Sequence, residues 1–477
     1  MSLTQALSAA TTGLSASARM AEVVSANLAN SLTDGYGRRS VLLSAEVNGS
    51  RGVAVDVVVR HVDRGILTDR RSAGSAMAGQ DSIATALAAV ETAWSGSGAG
   101  DGILARLSAV ETALVGAVAD PSSTLALGKV TDSLKALTGG ITSAAQTIQT
   151  LRHEADQTIA AQVATLNRAL QELEVNNAAM AKATYRGEET TALQDSRQQI
   201  VDRIAAIVPV REMDRAGGQI ALVSTAGEIL IDGKARVYGF AAVNAVTADM
   251  TIADGSLSGL TRDGQALQGT TGFGLLGGGA LEAAFALRDD ILTDQAQMLD
   301  AFAGDLVARF AGADPTQAAG LPGLLTDGTA ILPTAPLTGL AGRLQVNGAI
   351  DPAQGGDVTR LRSGLGATGG AVGDASQLTR LRQALTGGTQ LATGSPVTDA
   401  ASHAGRLAGL VGHARLWADE AQVQAAARWS ALRESELGQG VDRDAELQTL
   451  LQIEQAYAAN ARVITALDDM FSTLLRM

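Results

Sequence analysis

No cysteine occurs among the 477 residues. Disulfides, thiolate metal sites and cysteine nucleophiles are thereby excluded. Aromatic residues amount to only 3%. Such side chains dominate enzyme cores and ligand pockets, so their scarcity points to thin helices packed closely rather than a thick core around a cleft. Excess positive charge is missing too: 36 Lys and Arg face 49 Asp and Glu, a net charge of −13. Nucleic-acid binding, which needs a basic stripe, is disfavoured. No apolar run approaches the roughly 20 residues that cross a bilayer, and no basic amphipathic helix suggests a membrane surface. The N-terminus has no apolar stretch of signal-peptide length.

What is present sits at the two ends. Residues 3–28 carry a heptad stripe of Leu3, Leu7, Ala10, Leu14, Ser17, Ala21, Val24 and Leu28. Residues 447–475 carry a second, through Leu447, Leu450, Leu451, Tyr457, Ala461, Ile464, Leu467, Phe471, Leu474 and Leu475. Steps of three and four place such residues on one helix face. A narrow apolar stripe needs a partner, and each end offers one to the other. Termini ordinarily fray, so amphipathic ends are expected to be assembly surfaces.

Between the ends the period changes repeatedly. Residues 40–60 read as extended chain, with Val53, Val55, Val57 and Val59 in alternation; Val58 breaks the polar phase, which suggests burial on both faces. From about 76 to 208 the pattern is helical. Asp120-Pro121 offers a helix start, and 141–183 a long helix with a stripe from Ile148 to Met180. Residues 210–278 switch to strands, with Asp232-Gly233 as a hairpin signal. Helix returns over 280–312, 376–386 and 402–437. The expected fold is mainly α with a smaller β portion: a discontinuous, elongated multidomain rod with its terminal helices paired as a coiled coil. The expected division is 1–32 with 441–477 as a terminal assembly domain, 33–209 with 279–312 and 371–440 as a helical bundle, 210–278 as a β subdomain, and 313–370 as a short outer loop-rich region.

Chemical motifs are sparse. Gly272-Phe273-Gly274-Leu275-Leu276-Gly277 fits the glycine fingerprint of a dinucleotide cradle before a helix. The preceding Gly264–Thr271 is a poor strand, which favours a hinge between a β subdomain and a helix. His61, His153, His403 and His413 show no metal-ligand spacing and are expected at the surface or near helix ends. No catalytic, cofactor-binding or metal residue is expected, and no cofactor. A dinucleotide-binding enzyme using Gly272–Gly277 is the alternative from a different class.

The segment Asn27-Leu28-Ala29-Asn30-Ser31-Leu32-Thr33-Asp34-Gly35-Tyr36-Gly37-Arg38 resembles the signature of bacterial flagellar axial proteins, the family of rod, hook and hook-associated proteins. Its marked positions are Asn27, Asn30, Thr33, Gly35, Tyr36 and Arg38. The C-terminal run from Gly440-Val441-Asp442 to Leu474-Leu475 is similar to the terminal helix of that family. It departs from it at Ile453 and Glu454, and Glu454 falls on the expected buried stripe. Ala192-Leu193-Gln194-Asp195-Ser196-Arg197, and Gly278-Gly279-Ala280-Leu281 followed by Leu287-Arg288-Asp289, resemble elements of the FlgK-type hook–filament junction branch. Asp63, Gly373-Asp374 and Leu378 also fit, while 313–370 resembles nothing clearly.

The resemblance implies a structural subunit of the extracellular flagellum joining hook to filament, with a hook or rod subunit as the nearer alternative. It implies as partners identical subunits, the hook protein, the second hook-associated protein, and an export chaperone at the C-terminal region. It also implies unfolded export through a type III channel without a cleaved signal peptide. The expected assembly interface is Leu3, Leu7, Leu14, Val24 and Leu28 with Leu447, Leu450, Leu451, Tyr457, Ile464, Leu467, Phe471 and Leu474.

Overall fold

A computed structural model describes residues 3–33, 35–45, 52–98, 100–267, 276–334, 337–391 and 395–476. In chain order the elements are α1 (Leu3–Ala29), β1 (Arg39–Ala45), β2 (Val53–Arg60), α2 (Arg64–Ser95), α3 (Ile103–Ala119), α4 (Thr124–Arg186) and α5 (Thr191–Ile207). There follow β3 (Val210–Asp214), β4 (Ile220–Ser224), β5 (Ile229–Asp232), β6 (Lys234–Ala235), β7 (Tyr238–Gly239), β8 (Thr261–Arg262) and β9 (Gln265–Ala266). The chain then returns to helix in α6 (Ala280–Ala286) and α7 (Leu292–Gly312). The pair β10 (Leu325–Thr326) and β11 (Gln345–Val346) brackets α8 (Leu340–Arg343). Last come α9 (Arg360–Ser363), α10 (Ser376–Thr386), α11 (Ala400–Gly438) and α12 (Arg443–Leu475).

The backbone of the body is α4. Its 63 residues give a rod of roughly 95 Å at 1.5 Å per residue. Ser123 caps its start by accepting the amide of Ala126, and Gly187 ends it in the left-handed conformation at φ 65°. Asp120-Pro121 is therefore not the start of α4. Asp120 closes α3 and accepts a hydrogen bond from Ser122 Oγ at 2.6 Å. Along α4 the buried residues Leu127, Val130, Leu134, Leu137, Ile141 and Ile148 recur at steps of three, four and seven, a stripe that other helices must cover.

Two apolar cores share this one helix. The first half of α4 packs with α3, α7 and α10 around Trp94, Leu134, Phe302 and Phe310. Residues 313–370 contribute Leu325, Leu340, Val346, Ile350 and Leu361 to that same core. The second half packs with α5, α6 and the β region around Leu166, Leu173, Val201, Leu222 and Phe285. Strands β3 to β6 form an antiparallel meander in sequence order, and β7 to β9 a smaller one. The hairpin expected at Asp232-Gly233 joins β5 to β6, with Asp232 opposite Lys234 and Gly233 at φ 75°. Between α6 and α7, residues Leu287–Ile291 form a single π-helical turn, so 280–312 is one rod with a local widening.

The ends pair as expected. Helices α1 and α12 run antiparallel: Asn27 touches Glu446, and a Cβ at Gly13 would lie 2.9 Å from Asn460 Nδ2. Both contacts lie two heptads apart on each helix. Hairpin β1–β2 lies along the other side of α1, from Arg39, bonded to Asn27, to Val53, whose amide donates to Thr12 Oγ1 at 3.3 Å. The hairpin is not buried on both faces. Leu42, Leu43, Val55 and Val57 are exposed: α1 backs the hairpin and α5 meets the end of β2, while among the described residues no second layer covers its outer face. Replacing Leu134, fully enclosed in the first core, with Ala is expected to cost about 2–5 kcal/mol of stability, read as a lowered denaturation midpoint.

Candidate functional site: the joint between the terminal coiled coil and the body

The seam of α12 follows a regular four-three rhythm: Glu446, Leu450, Ile453, Tyr457, Asn460, Ile464, Leu467 and Phe471. All but Tyr457 are buried or half-buried, the pattern of a coiled-coil core. On α1 the residues that meet α12 directly include Gly13 and Asn27; in the stripe read from sequence, Ala10, Ser17 and Val24 are buried and Leu3, Leu7, Leu14, Ala21 and Leu28 half-buried. The expected interface residues thus separate into two groups. Leu450, Ile464, Leu467 and Phe471 face α1 within the same chain. Leu447 and Leu451 stay 45% and 58% exposed on a flank that α1 does not reach, while Tyr457 and Leu474 keep the seam phase but remain 46% and 56% exposed. Adjacent leucines at 450–451 and 474–475 blur the two faces in sequence. Glu454 does not fall on the buried stripe: it is exposed, because the seam passes through Ile453.

The buried carboxylate of this region is Glu446, 1% exposed at the first turn of α12. It accepts from Arg38 Nε at 2.7 Å and from Asn27 Nδ2 at 3.2 Å. Burying a charge this way requires a partner and hydrogen bonds together, and here both come from the N-terminal signature. Asn27, itself fully buried, also donates to the carbonyl of Arg39 at 2.8 Å. Its Oδ1 accepts from Tyr36 Oη and from the amide of Arg39, both at 2.9 Å. One amide side chain therefore ties α1, β1 and α12 together. Burial raises the Tyr36 phenol above its ordinary value, against the opposing pull of Arg39, whose guanidinium lies 4.9 Å from the ring centre. Tyr36 is accordingly a hydrogen-bond donor at physiological pH.

The remaining signature residues shape the turn. Asn30 Nδ2 donates back to the carbonyl of Ala26 at 2.9 Å, closing the end of α1. Thr33 Oγ1 donates to Asn30 at 3.3 Å. Gly35 takes φ 80°, a conformation open to glycine and costly to larger residues. Arg38 holds α12 rather than the following strand. Asp34 lies outside the described residues.

Beyond the turn, the signature meets the 192–197 element about 160 residues later. Asp195 on α5 accepts from Arg60 Nε at 2.6 Å, Arg39 Nη2 at 2.5 Å and the amide of Gly37 at 3.3 Å. Arg60 continues to the carbonyl of Gly35 at 2.9 Å and to Gln198. Gln198 donates to Glu436 on α11 at 3.3 Å, and Glu436 accepts from Arg70 at 2.8 Å. Arg70 and Arg71 share Asp202, and Arg71 reaches Glu212 on β3. Burial works against the Arg70 cation, but Asp202 and Glu436 raise its pKa overall. Asp63 caps α2, its carboxylate held below the ordinary range first by the amides of Ile66 and Gly65. Sequence alone did not reveal that Asp195, Arg60, Gln198 and Glu446 converge. The available signal was Glu446 in seam phase.

The other sequence elements lie elsewhere. Arg288 is fully buried in the π turn, bonded to Asp156 at 2.7 Å and Asp289 at 2.8 Å and stacked near Phe240 and Phe285. It pins the β region to α4. His403 lies in the first turn of α11, near a helix end, but it is fully buried and not solvent-facing, with Nδ1 3.2 Å from Asp305 Oδ2; Arg309 bonds Asp305 and the chain just before α11. Of the glycine fingerprint, Gly272–Leu275 lie outside the described residues. Gly277, Gly278 and Gly279 all have positive φ, and a Cβ on Gly279 would meet Ser75 Oγ at 2.5 Å and the carbonyl of Ile207 at 2.6 Å. That end of the motif serves close packing. An open groove of about 810 Å³ lies between α4, the 244–249 loop, α7 and α8, and contains none of the expected site residues.

Asn27→Ala leaves the Tyr36 hydroxyl and the Arg39 amide without their acceptor. Local opening of α1 and β1 is expected to become easier by about 1–3 kcal/mol, measured by amide exchange, with α3 and α4 unchanged.

Comparison with known proteins finds flagellar families. The model of the flagellar hook-associated protein FlgK helical domain matches residues 87–319, and that of the flagellar basal body rod FlgEFG protein C-terminal region matches 437–477. No curated protein gives a match. Among solved structures, the flagellar hook junction protein FlgK from Burkholderia pseudomallei is similar at 18% identity and a TM-score of 0.44, over 54% of this chain and 46% of that one. The match thus spans about half the length of that relative. Among the described residues no helix is long and apolar enough to cross a membrane. The middle of the chain thus matches the helical domain of the flagellar hook-associated protein FlgK, and its end matches the C-terminal region of the flagellar rod proteins.

Proposed function

We propose that this chain is a structural subunit of the bacterial flagellum that joins hook to filament by assembling with copies of itself through its terminal coiled coil. The observation that carries the reading is the unsatisfied outer surface of α12. Its inner seam is taken up by α1, yet Leu447 and Leu451 on one flank and Val463 and Met470 on the other remain exposed. A helix with apolar residues on both flanks of an occupied seam is suited to further helices on either side. Contacts of that kind are heterologous: they propagate around and along an axis instead of closing pairwise. Leu3, Leu7, Leu14, Val24 and Leu28 lie buried or half-buried on α1 and support this surface from behind.

The likeness to these flagellar families supports hook protein and second hook-associated protein as neighbours along the axis, an export chaperone for the C-terminal region, and unfolded export to an extracellular site. Residues 1–32 with 441–477 would form the assembly domain, and the helical body with its β region the outer layer. The FlgK helical-domain match over 87–319 supports the junction over the rod or hook alternative, whose model matches only 437–477, and no match supports a dinucleotide enzyme.

Outer and inner faces of α12 give separable outcomes. Leu451→Asp leaves the seam intact; monomer helicity by circular dichroism should be preserved while incorporation into flagella is lost, leaving hooks without filaments under the electron microscope. Ile453→Asp buries a charge in the seam and should abolish both terminal helicity and incorporation. Normal filaments from the Leu451 variant would refute the proposed surface.

A further inference from the structure

The three buried apolar clusters of the body draw on α2 to α7, α10, α11 and the segments among them. Among the described residues, none includes a side chain from α1, β1, β2 or α12. The terminal coiled coil and its hairpin therefore meet the body without a shared apolar core. What crosses the gap is polar. On the body side the hub is Asp195, with one carboxylate oxygen accepting from Arg60 Nε and the amide of Gly37 and the other from Arg39.

We infer that Asp195 is the positioning residue that aims the terminal coiled coil relative to the body, through a joint made of ion pairs and hydrogen bonds. Three features of the geometry support the assignment. The groups gathered on Asp195 come from the turn after α1 and from both strands of the hairpin, so they fix orientation as well as distance. The side chains of Asp195, Arg39 and Arg60 are largely enclosed, at 15%, 16% and 10% exposure, where charge-assisted bonds are stronger and less screened than at an open surface. The fit around them is tight: a Cβ on Gly37 would lie 2.6 Å from Arg60 Nε, so glycine at 37 is what lets Arg60 reach Asp195.

Removing the carboxylate leaves two guanidinium groups facing each other with no shared counter-ion. The joint then loses its attraction and gains a repulsion, while the apolar cores on the body side lose nothing. A polar joint of this kind lets the assembly domain be re-aimed without breaking a hydrophobic core. Its value to a subunit between two different structures rests on the proposed function; the joint itself does not.

The full-length chain has no cysteine, so paired spin labels can be placed cleanly at Gln455→Cys on α12 and Val175→Cys on α4. In this labelled background, Asp195→Ala should broaden and shift the label-to-label distance distribution. Helicity and the unfolding midpoint of the body should stay as in the parent. Asp195→Asn, which keeps one acceptor oxygen, should give a smaller change. Gly37→Ala, which pushes Arg60 off Asp195 from the opposite side, should broaden the distribution as Asp195→Ala does. Distributions unchanged in both Asp195→Ala and Gly37→Ala would overturn the inference. So would broadening that appears only together with a destabilised body, since that marks a general structural role. Loss of filaments in the Leu451 variant, with wild-type distances in the Asp195 variants, would leave the assembly reading standing and remove this one.

Discussion

Everything at the assembly end of this molecule depends on the antiparallel pairing of α1 with α12. Two contacts two heptads apart, Asn27 with Glu446 and Gly13 with Asn460, share one register. Polar groups in a coiled-coil seam weaken it relative to leucine but select one alignment. Glu446 has Arg38 and Asn27 as partners in this alignment; displaced by a heptad, the buried carboxylate would lose both. The seam thus joins the two ends of a long chain, and in doing so turns the second apolar surface of α12 outward.

The body meets a different problem with similar means. With few aromatic residues available, it places most of them in the cores: Trp94 lies against Phe302, and Phe240 meets Phe285 edge to face. Where long helices must hold irregular chain, buried arginines do so. Arg288 bonds Asp156, Asp289 and the carbonyl of Ser258. Arg309 bonds Asp305 and the carbonyls of Ala384, Gly387 and Thr398. A guanidinium with five donors can satisfy several backbone carbonyls at once. That is how loops without ladders of their own remain attached to α4 and α7. The joint with the terminal domain uses the same chemistry without the apolar surroundings, which gives it a different mechanical character.

Much of this was legible in the residues. The α1 stripe, the position of α10, the hairpin at Asp232-Gly233 and the pairing of first helix with last follow from local periodicity and turn chemistry, which neighbouring residues impose on each other directly. Less legible was anything depending on which face meets what. Paired leucines at 450–451 made two faces of α12 look like one. Valines in β2 suggested a doubly covered strand, although its outer face is bare. His403, expected at the surface or near a helix end, does lie near the start of α11 but is buried against Asp305. Asp195 and the Asn27–Arg38 signature could each be marked as motifs, but nothing in either indicated the other.

By itself the sequence determined the helical character, the amphipathic ends and the absence of thiol chemistry, because these depend on residue type and on spacing within a few turns. Only the tertiary structure decided that Glu446 lies buried in the seam and Glu454 outside it, that Asp195 receives the hairpin, and that, among the described residues, no apolar core bridges the coiled coil and the body. Burial and ion pairing are properties of groups brought together from distant parts of the chain, and a linear pattern does not encode that distance.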